Sequence, residues 1–331
     1  MDLHAKIYVA GHRGLVGSAL VRRLRADGYS NLVLRARNEL DLSNQQAVAS
    51  FFEKERPEFV FLAAAKVGGI LANSTYPADF IAQNLMIQTN VIRESYRCGV
   101  NRLLFLGSSC IYPKLAPQPL KEECLLTGPL ETTNRAYALA KIAGIEMCWS
   151  YNRQYHTRFV AAMPTNLYGP GDHYDLSNSH VIPGLIRKMH DAKTASAAEV
   201  VIWGTGRPKR EFLYSNAAAD ACIFLLNLPD ARLGELTEDD RIGPIVNIGC
   251  GEDITIAELA KLIAEVVGFR GRLAFDTSKP DGTPRKLMDI SRLTKLGWLP
   301  PPPEFLREGL ENAYRDYLES IGESKTLKSA V

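Results

Sequence analysis

The stretch KIYVAGHRGLVGSAL, residues 6–20, decides the fold. An apolar run leads directly into three glycines, and an amphipathic segment follows over residues 14–27. Glycine permits a tight turn and leaves room for a ligand to approach the backbone, and the free N–H groups at a helix N-terminus attract phosphate. Because the turn lies between a predicted strand and a predicted helix, it predicts a dinucleotide pyrophosphate site built from Gly11, Gly14 and Gly17.

The alternation of strand and helix continues to about residue 165. The apolar runs NLVL, FVFLAAA, RLLFLG and RFVAAM alternate with helical patterns that open after Ser43, cover about 78–99 and start at about 135, and an irregular loop spans 113–134. Such alternation predicts βαβ units. The expected fold class is α/β, a Rossmann-type doubly wound parallel sheet with a smaller, mixed α/β C-terminal substrate domain.

The alternation weakens after NLYGPGD, and this change predicts a domain boundary. We expect residues 1–172 to form the dinucleotide-binding Rossmann domain, to which 215–248 return because a helical pattern and the strand PIVNIG resume there. The substrate-binding domain is expected at 173–214 and 249–320. The polar segment 321–331 is predicted to be a disordered tail.

The bulk composition is that of an ordinary globular protein. Apolar residues make up 46% of the 331 residues, and the formal net charge of +2 gives no basis for a nucleic acid or membrane partner. The six cysteines show no CxxC pair and no metal-ligand spacing with histidine, so we expect reduced thiols and no metal site. No signal-peptide core and no apolar run of about 18 residues is found, and the cytoplasm is the expected location.

The second strand indicates which dinucleotide the site prefers. An NAD site usually places an acidic residue near the end of this strand to bind the ribose 2′-OH. Here the strand ends in LRAR, so Arg35 and Arg37, together with Arg13 of the glycine turn, would present cations to a 2′-phosphate. NADPH/NADP+ is therefore the expected cofactor, with its adenine near Asp41 and Leu42. Alternatively, the arginines are solvated surface residues and Asp41 is a turn residue.

The motif YALAK places Tyr137 and Lys141 four residues apart on a predicted helix, so both project from one face. A phenol has a pKa of about 10, and a neighbouring ammonium makes its ionisation easier. Taken alone, such a pair usually consists of surface residues. Together with the glycine turn and with Ser108 at the end of a strand, it predicts a Ser-Tyr-Lys catalytic set.

These features resemble the extended short-chain dehydrogenase/reductase family, whose hallmarks are a GxxGxxG turn, a serine after the fourth strand and YxxxK. Longer segments between residues 10 and 286 match as well: AGHRGLVGSA, AAAKVGGI, NSTYPADF, GSSCIYPK, MPTNLYGP, SNSHVIP, WGTGRPKREFL and SKPDGTPRK. They resemble members that epimerise C3 and C5 of a GDP-linked 4-keto-6-deoxysugar and then reduce C4 with NADPH. The resemblance implies both reactions in one site, and a homodimer paired through helices near 78–99 and 135–155.

The resemblance also implies a role for each catalytic candidate. Tyr137 would donate a proton to the C4 oxygen, Lys141 would lower the pKa of that phenol and hold the nicotinamide ribose, and Ser108 would hydrogen-bond the C4 oxygen. Cys110 and His180 would be the base and the acid of the two epimerisations. A free cysteine or a lone histidine is more often structural, so these two assignments depend on the resemblance.

Two sets of binding residues follow from the same resemblance, although any member could instead serve a loop or the surface. Cations would neutralise the diphosphate of the GDP-sugar and a tryptophan would offer a stacking surface, which gives a substrate set of Lys188, Trp203, Arg210 and Asp281. The expected cofactor set is Gly11, Arg13, Gly14, Leu15, Val16, Gly17, Arg37, Asp41, Leu42, Ala64, Lys141, Pro164, Asn166, Leu167 and His180.

Two other functions are compatible with the same scaffold. A different nucleotide-sugar epimerase or dehydratase would retain its cofactor through a closed redox cycle, and the features that distinguish it are Cys110 and His180. An NADP-binding sensor or scaffold without chemistry typically lacks the tyrosine or the lysine, and both are present here. Turnover of NADPH with a GDP-ketosugar distinguishes among the three.

Overall fold

A parallel sheet of six strands forms the centre of the chain in the computed structural model, which describes residues 1–176, 179–279 and 281–322. The strands of the chain are β1 (Ile7–Ala10), β2 (Leu32–Val33), β3 (Phe59–Leu62), β4 (Arg102–Leu106), β5 (Phe159–Pro164), β6 (Asn166–Tyr168), β7 (Glu199–Trp203), β8 (Lys209–Arg210), β9 (Phe212–Tyr214), β10 (Ile245–Ile248), β11 (Ile254–Thr255), β12 (Arg272–Asp276) and β13 (Arg285–Lys286). The large sheet has the order β10-β5-β4-β3-β1-β2. The predicted α/β class with a Rossmann-type parallel sheet is confirmed.

Helices cover both faces of this sheet, and others pack against the smaller sheets. The helices of the described ranges are α1 (Leu15–Ala26), α2 (Gln45–Glu55), α3 (Ile70–Thr75), α4 (Pro77–Arg97), α5 (Arg135–Tyr155), α6 (Val181–Thr194), α7 (Ser215–Asn227), α8 (Asp230–Thr237), α9 (Ile256–Val267), α10 (Ser291–Lys295) and α11 (Phe305–Ser320). Helices α1 and α7 pack on each other against one face, while α2, α4 and α5 lie against the other. Within the described ranges no helix combines the length and the apolar character needed to cross a membrane.

The strands of the large sheet are apolar along their whole length because both faces are covered. Every residue of β1, β3, β5 and β10 is buried. Side chains alternate between the two cores, so Ile7 and Val9 contact the α1 side while Tyr8 and Ala10 contact the α4 side. This double burial explains why uninterrupted apolar runs, and not alternating patterns, mark these strands in the sequence.

Three smaller sheets lie beside the large one, with the orders β11-β8-β13, β12-β7 and β6-β9. A third core, formed mainly by α6, α9 and α11, supports them. Helix α7 packs on α1, and β10 pairs with β5, so both elements of 215–248 lie with the large sheet. The exact domain boundaries stay a prediction, and residues 323–331 of the predicted tail lie outside the described ranges.

The helix boundaries differ from the predicted ones by a residue or two. Helix α2 begins at Gln45 because Asn44 caps it, its side-chain oxygen accepting a hydrogen bond of 3.0 Å from the backbone N–H of Ala47. Helix α1 begins at Leu15, with Gly14 in the N-cap position. The predicted irregular loop 113–134 contains two single-turn 3₁₀ helices, Glu122–Cys124 and Thr132–Asn134.

Candidate active site

The glycine turn after β1 is packed so closely that side chains are excluded. Gly11 has a φ of +84°, and a Cβ atom there would lie 2.7 Å from the backbone nitrogen of Ala64. A Cβ atom on Gly17 would overlap the carbonyl oxygen of Gly11. The turn therefore leaves a cradle at the N-terminus of α1, where a pyrophosphate fits. Around it the structure brings together the predicted residues of the turn, of α1 and of the end of β3: Gly11, Arg13, Gly14, Leu15, Val16, Gly17 and Ala64.

The arginines predicted for the 2′-phosphate separate into two groups. Arg13 and Arg37 are exposed in the loops that follow β1 and β2. Arg35 instead donates a hydrogen bond of 2.7 Å to Glu55 of α2 and lies over the ring of Phe51. Because this ion pair on the α2 side already engages the guanidinium of Arg35, Arg13 and Arg37 are the better candidates for a 2′-phosphate, and the role of Arg35 stays a prediction.

Asp41 is a turn residue. Its carboxylate accepts hydrogen bonds from the hydroxyl and the backbone N–H of Ser43, at 2.7 Å and 2.9 Å, and these bonds hold the pKa of Asp41 below its usual value. Leu42 beside it is buried, and its carbonyl accepts a hydrogen bond of 2.9 Å from Asn90 of α4. The structure thus favours the alternative interpretation of Asp41, as a turn residue, and the adenine contact of Leu42 stays a prediction.

Ser108 and Cys110 lie just beyond the carboxyl end of β4. Ser108 caps the 3₁₀ turn Ser109–Ile111, and its hydroxyl accepts a hydrogen bond of 3.4 Å from the backbone N–H of Cys110. Burial raises the pKa of the Cys110 thiol, while the charge of Lys286 and a hydrogen bond with Ser108 act in the opposite direction. The thiol is therefore protonated at neutral pH, with a cation and a hydroxyl in place to favour its ionised form.

Tyr137 and Lys141 project from α5 toward the same end of β4. The ammonium of Lys141 donates a hydrogen bond of 2.7 Å to the carbonyl of Leu106 and lies 5.7 Å from the centroid of the Tyr137 ring. The Tyr137 ring meets Phe80 of α4 edge-on, with 6.2 Å between centroids. These contacts bring Tyr137 and Lys141 into one cluster with Ser108, which hydrogen-bonds the phenol.

Burial sets the protonation states in this cluster. It lowers the pKa of Lys141 to about 8. It also raises the pKa of Tyr137, the neighbouring Cys110 raises it further, and the hydrogen bond with Ser108 acts in the opposite direction. Desolvation therefore outweighs the lowering of the phenol pKa that the charge of Lys141 is predicted to give. Tyr137 is consequently a protonated phenol at neutral pH, which is the form that a proton donor requires.

His180 is the residue that precedes α6, and part of the residue is accessible to solvent. The protein around its imidazole lowers the pKa of His180 by desolvation, and the charge of Lys286 lowers it further. Lys286 therefore acts electrostatically on both His180 and Cys110, the two predicted epimerisation residues. The sequence analysis did not single out Lys286, although it is the last residue of the matching segment SKPDGTPRK.

Trp203 and Asp281 belong to the region of the small sheets, at the end of β7 and in the loop between β12 and β13. Trp203 ends β7 with its ring largely exposed, and the ammonium groups of Lys188 and Lys279 lie 5.5 Å and 5.7 Å from the ring centroid. The carboxylate of Asp281 accepts hydrogen bonds of 2.8 Å and 2.7 Å from the backbone N–H and the hydroxyl of Thr205. An aromatic face with two cations suits a nucleotide diphosphate. Lys279 was missed because nothing local distinguishes it from other loop lysines.

Arg210 lies between the residues around Trp203 and Asp281 and the Ser-Tyr-Lys cluster. It is paired in register with Lys286 across the parallel strands β8 and β13. Burial lowers the pKa of Arg210, and the charge of Asp281 opposes that shift. The remaining predicted residues, Pro164, Asn166 and Leu167, lie at the end of β5 and in β6. Asn166 donates a hydrogen bond of 2.8 Å to the carbonyl of Glu211.

A glycine turn opening the first helix, a parallel sheet and a Ser-Tyr-Lys cluster at its carboxyl edge define a nicotinamide-dependent enzyme site. The chain belongs to the NAD dependent epimerase/dehydratase family, whose model matches residues 7–249.

Relatives named for one activity match nearly the whole chain. GDP-L-fucose synthase 1 of Arabidopsis thaliana is 57% identical over 320 residues, 97% of this chain and 95% of that protein. GDP-L-fucose synthase of Escherichia coli (strain K12) is 54% identical over 315 residues, 95% of this chain and 97% of that protein. The crystal structure of a GDP-L-fucose synthetase from Naegleria fowleri bound to NADP is 26% identical with a TM-score of 0.84, covering 98% of both chains. The predicted resemblance is confirmed.

Proposed function

We propose that the chain converts GDP-4-keto-6-deoxy-D-mannose to GDP-L-fucose by epimerisation at C3 and C5 followed by NADPH-dependent reduction at C4. The observation that carries this proposal is the arrangement of two sets of proton-transfer groups around one cleft. Ser108, Tyr137 and Lys141 form one set, and Cys110 with His180 forms the other. The names of the relatives over 50% identical support the same substrate and product.

The residues present suit NADPH. The cradle at Gly11 and Gly17 would hold the pyrophosphate, exposed Arg13 and Arg37 would bind the 2′-phosphate, and Lys141 would bind the nicotinamide ribose. NADPH supplies the hydride for C4 when it is bound.

The epimerisations require a base and an acid on opposite faces of the sugar ring, because the C4 carbonyl makes the protons on C3 and C5 labile. We assign the base to Cys110 and the acid to His180. Burial keeps both groups neutral in the resting site. Moving one proton from the thiol to the imidazole gives the thiolate and the imidazolium without a change in net charge. The charge of Lys286 favours the thiolate and opposes the imidazolium.

The reduction requires a proton for the C4 oxygen as the hydride arrives. Tyr137 holds that proton, because burial raises the pKa of its phenol. Ser108 hydrogen-bonds the same oxygen and orients the carbonyl. Lys141, held by the carbonyl of Leu106, lies behind the phenol and would stabilise the phenolate that forms.

The GDP portion would lie along the small sheets. Lys188 and Arg210 would neutralise the diphosphate, Trp203 would provide the stacking surface, and Asp281 would accept a hydrogen bond from the nucleotide. The ion and ring contacts around Trp203 support this assignment.

Incubation of the enzyme with GDP-4-keto-6-deoxy-D-mannose and NADPH tests the proposal. We expect one NADPH oxidised per GDP-L-fucose formed, followed by absorbance and identified by NMR. In D₂O without NADPH, deuterium should enter C3 and C5. Sugar conversion without net NADPH oxidation would instead identify an epimerase or dehydratase with a closed redox cycle, and no conversion would contradict the proposal.

We also propose that the chain forms a homodimer through α4 and α5, as the resemblance implies. These helices pack on each other, and the exposed side chains Met86, Tyr96, Leu139 and Tyr155 lie on them. Apolar and aromatic surface of this kind is favoured at interfaces. Sedimentation at micromolar concentration should give twice the chain mass, and a monomer mass would contradict the dimer.

We place the enzyme in the cytoplasm. All six cysteines are free thiols, as is typical of proteins in a reducing compartment. Localisation of a tagged chain by fractionation tests this placement.

A further inference from the structure

Glu211 is a fully buried carboxylate without an assigned role. It follows Arg210 directly, and none of its surface is exposed. One carboxylate oxygen accepts hydrogen bonds from the backbone N–H groups of Cys250 and Gly251, both at 2.7 Å, and the other accepts from the backbone N–H of Met288 at 2.9 Å. A buried charge of this kind is costly unless it is fully hydrogen-bonded, so its retention needs an explanation.

The three N–H donors come from two different regions. Cys250 and Gly251 follow β10 at the carboxyl edge of the large sheet, whereas Met288 follows β13 of a small sheet. A Cβ atom on Gly249 would overlap Glu211 Oε1, so the carboxylate fills the junction between them. Glu211 thus ties the strand pair β8–β13 to the large sheet.

The opposite side of this strand pair carries the cations of the cleft. Successive side chains of a strand point to opposite sides, so Arg210 points away from the junction that Glu211 fills. Lys286 is the register partner of Arg210, and its carbonyl accepts a 3.3 Å hydrogen bond from the backbone N–H of Glu211. The charge of Lys286 acts on Cys110 and His180. The location of Glu211 therefore sets the location of both cations.

We propose that Glu211 is a positioning residue, which anchors β8–β13 so that Arg210 meets the diphosphate of the GDP-sugar and Lys286 meets the acid–base pair. This inference rests on the proposed function for the identity of the ligand. A carboxylate suits the task because both of its oxygens accept hydrogen bonds, whereas a glutamine would present an NH₂ group to one of the converging N–H donors.

The test is the isosteric variant Glu211→Gln, with GDP and NADPH affinities measured separately by calorimetry. We expect GDP to bind about tenfold more weakly and NADPH to bind within about twofold of the wild type. The amide oxygen would keep the two N–H groups of Cys250 and Gly251, so the NH₂ group would face the single N–H of Met288 beside β13. The matched control is Glu265→Gln on α9, which breaks a surface ion pair with Arg307 in the same part of the chain and should leave both affinities unchanged. Equal weakening of GDP and NADPH binding, or unchanged GDP binding, would overturn the proposal.

A double-mutant cycle distinguishes positioning of Arg210 by Glu211 from a general disturbance of the structure. If Glu211 acts through Arg210, Glu211→Gln should cost little further GDP affinity in the Arg210→Ala background. An undiminished additional loss there would also count against the proposal. Wild-type enzyme that fails to bind GDP at all would contradict the proposed function, whereas normal GDP binding by both wild type and Glu211→Gln would contradict this inference alone.

Amide hydrogen exchange of the wild-type enzyme provides a measurement that does not depend on the variant folding. With neither ligand added, the amide of Met288 should exchange as slowly as the amides of β10, because the carboxylate holds it. Exchange at the rate of an exposed loop would show that the anchor does not form, and would overturn the proposal whatever the variants do.

Discussion

The six-stranded sheet and the small sheets beside it are held together by different forces. In the large sheet the strands β1, β3 and β5 are buried along their whole length between two layers of helices. In the small sheets β7 alternates between exposed and buried residues, and β8 and β13 contain two residues each. Beyond the hydrogen bonds between strands, apolar burial on both faces dominates the first region, whereas the second depends more on specific polar contacts such as those of Glu211 and Asp281.

The two regions also contribute different groups to the cleft. The carboxyl edge of the large sheet carries the groups that exchange protons, namely Ser108, Cys110, Tyr137 and Lys141. The small sheets carry Arg210 and the residues around Trp203. We therefore expect substitutions beside the large sheet to change reaction rates and substitutions in the small sheets to change substrate affinity. The following predictions test that division, starting with the largest expected effect.

Tyr137→Phe should lower the rate of C4 reduction by about a thousandfold, because the variant lacks the proton donor to the forming alkoxide. Exchange at C3 and C5 should continue, since the phenol is assigned to the C4 oxygen alone. NADPH oxidation and deuterium incorporation, measured on the same sample, check both parts. Normal NADPH oxidation by the variant would refute the assignment.

Cys110→Ser should slow deuterium incorporation at C3 and C5 by about a hundredfold while leaving NADPH binding intact, because a hydroxyl is far less acidic than a thiol. Direct reduction of the unepimerised ketosugar should persist and give a product of the wrong configuration. Cys124→Ser, a half-buried cysteine away from the cluster, is the control and should exchange normally. Wild-type exchange in Cys110→Ser would mean that the thiol only packs beside the site.

Replacing Arg13 and Arg37 together by alanine should reduce the preference for NADPH over NADH by about thirtyfold, since each is assigned one charge-assisted contact with the 2′-phosphate. Initial rates at limiting cofactor measure the ratio. Arg35→Ala is the comparison variant, because that arginine pairs with Glu55, and the ratio should hardly change. A large change in Arg35→Ala with none in the double variant would reverse the assignment.

Lys286→Met should change the rate of exchange at C3 and C5 although Lys286 belongs to a small sheet, because its charge acts on the proton-transfer groups. The active pair of thiolate and imidazolium holds as many protons as the neutral resting pair, so exchange falls at low pH, where both groups are protonated, and at high pH, where both are deprotonated. Removing the cation of Lys286 raises the pKa of both Cys110 and His180. Exchange near neutral pH should fall about tenfold, and its pH profile should move to higher pH. An unmoved profile would show that Lys286 serves affinity alone.

Much of the fold could be predicted because its signals are local. The apolar runs of β1, β3 and β5, and the glycine turn between β1 and α1, appeared where the structure has them. The contacts that the sequence could not show involve partners distant along the chain. Arg35 pairs with Glu55 of α2, which local sequence around Arg35 does not indicate. The burial that raises the pKa of Tyr137 likewise depends on the packing of the whole chain.

Features that depend on neighbours along the chain can be read from the sequence alone. Gly11 and Gly17 mark a turn without room for side chains, and the spacing of Tyr137 and Lys141 places both on one helix face. Only the tertiary structure decided that Lys286 lies near Cys110 and His180, and that Glu211 joins two regions. Charge–charge and desolvation effects act through space, so the protonation of these groups depends on where the fold places them. Their locations depend on which strands pair, and the packing of the whole chain determines that pairing.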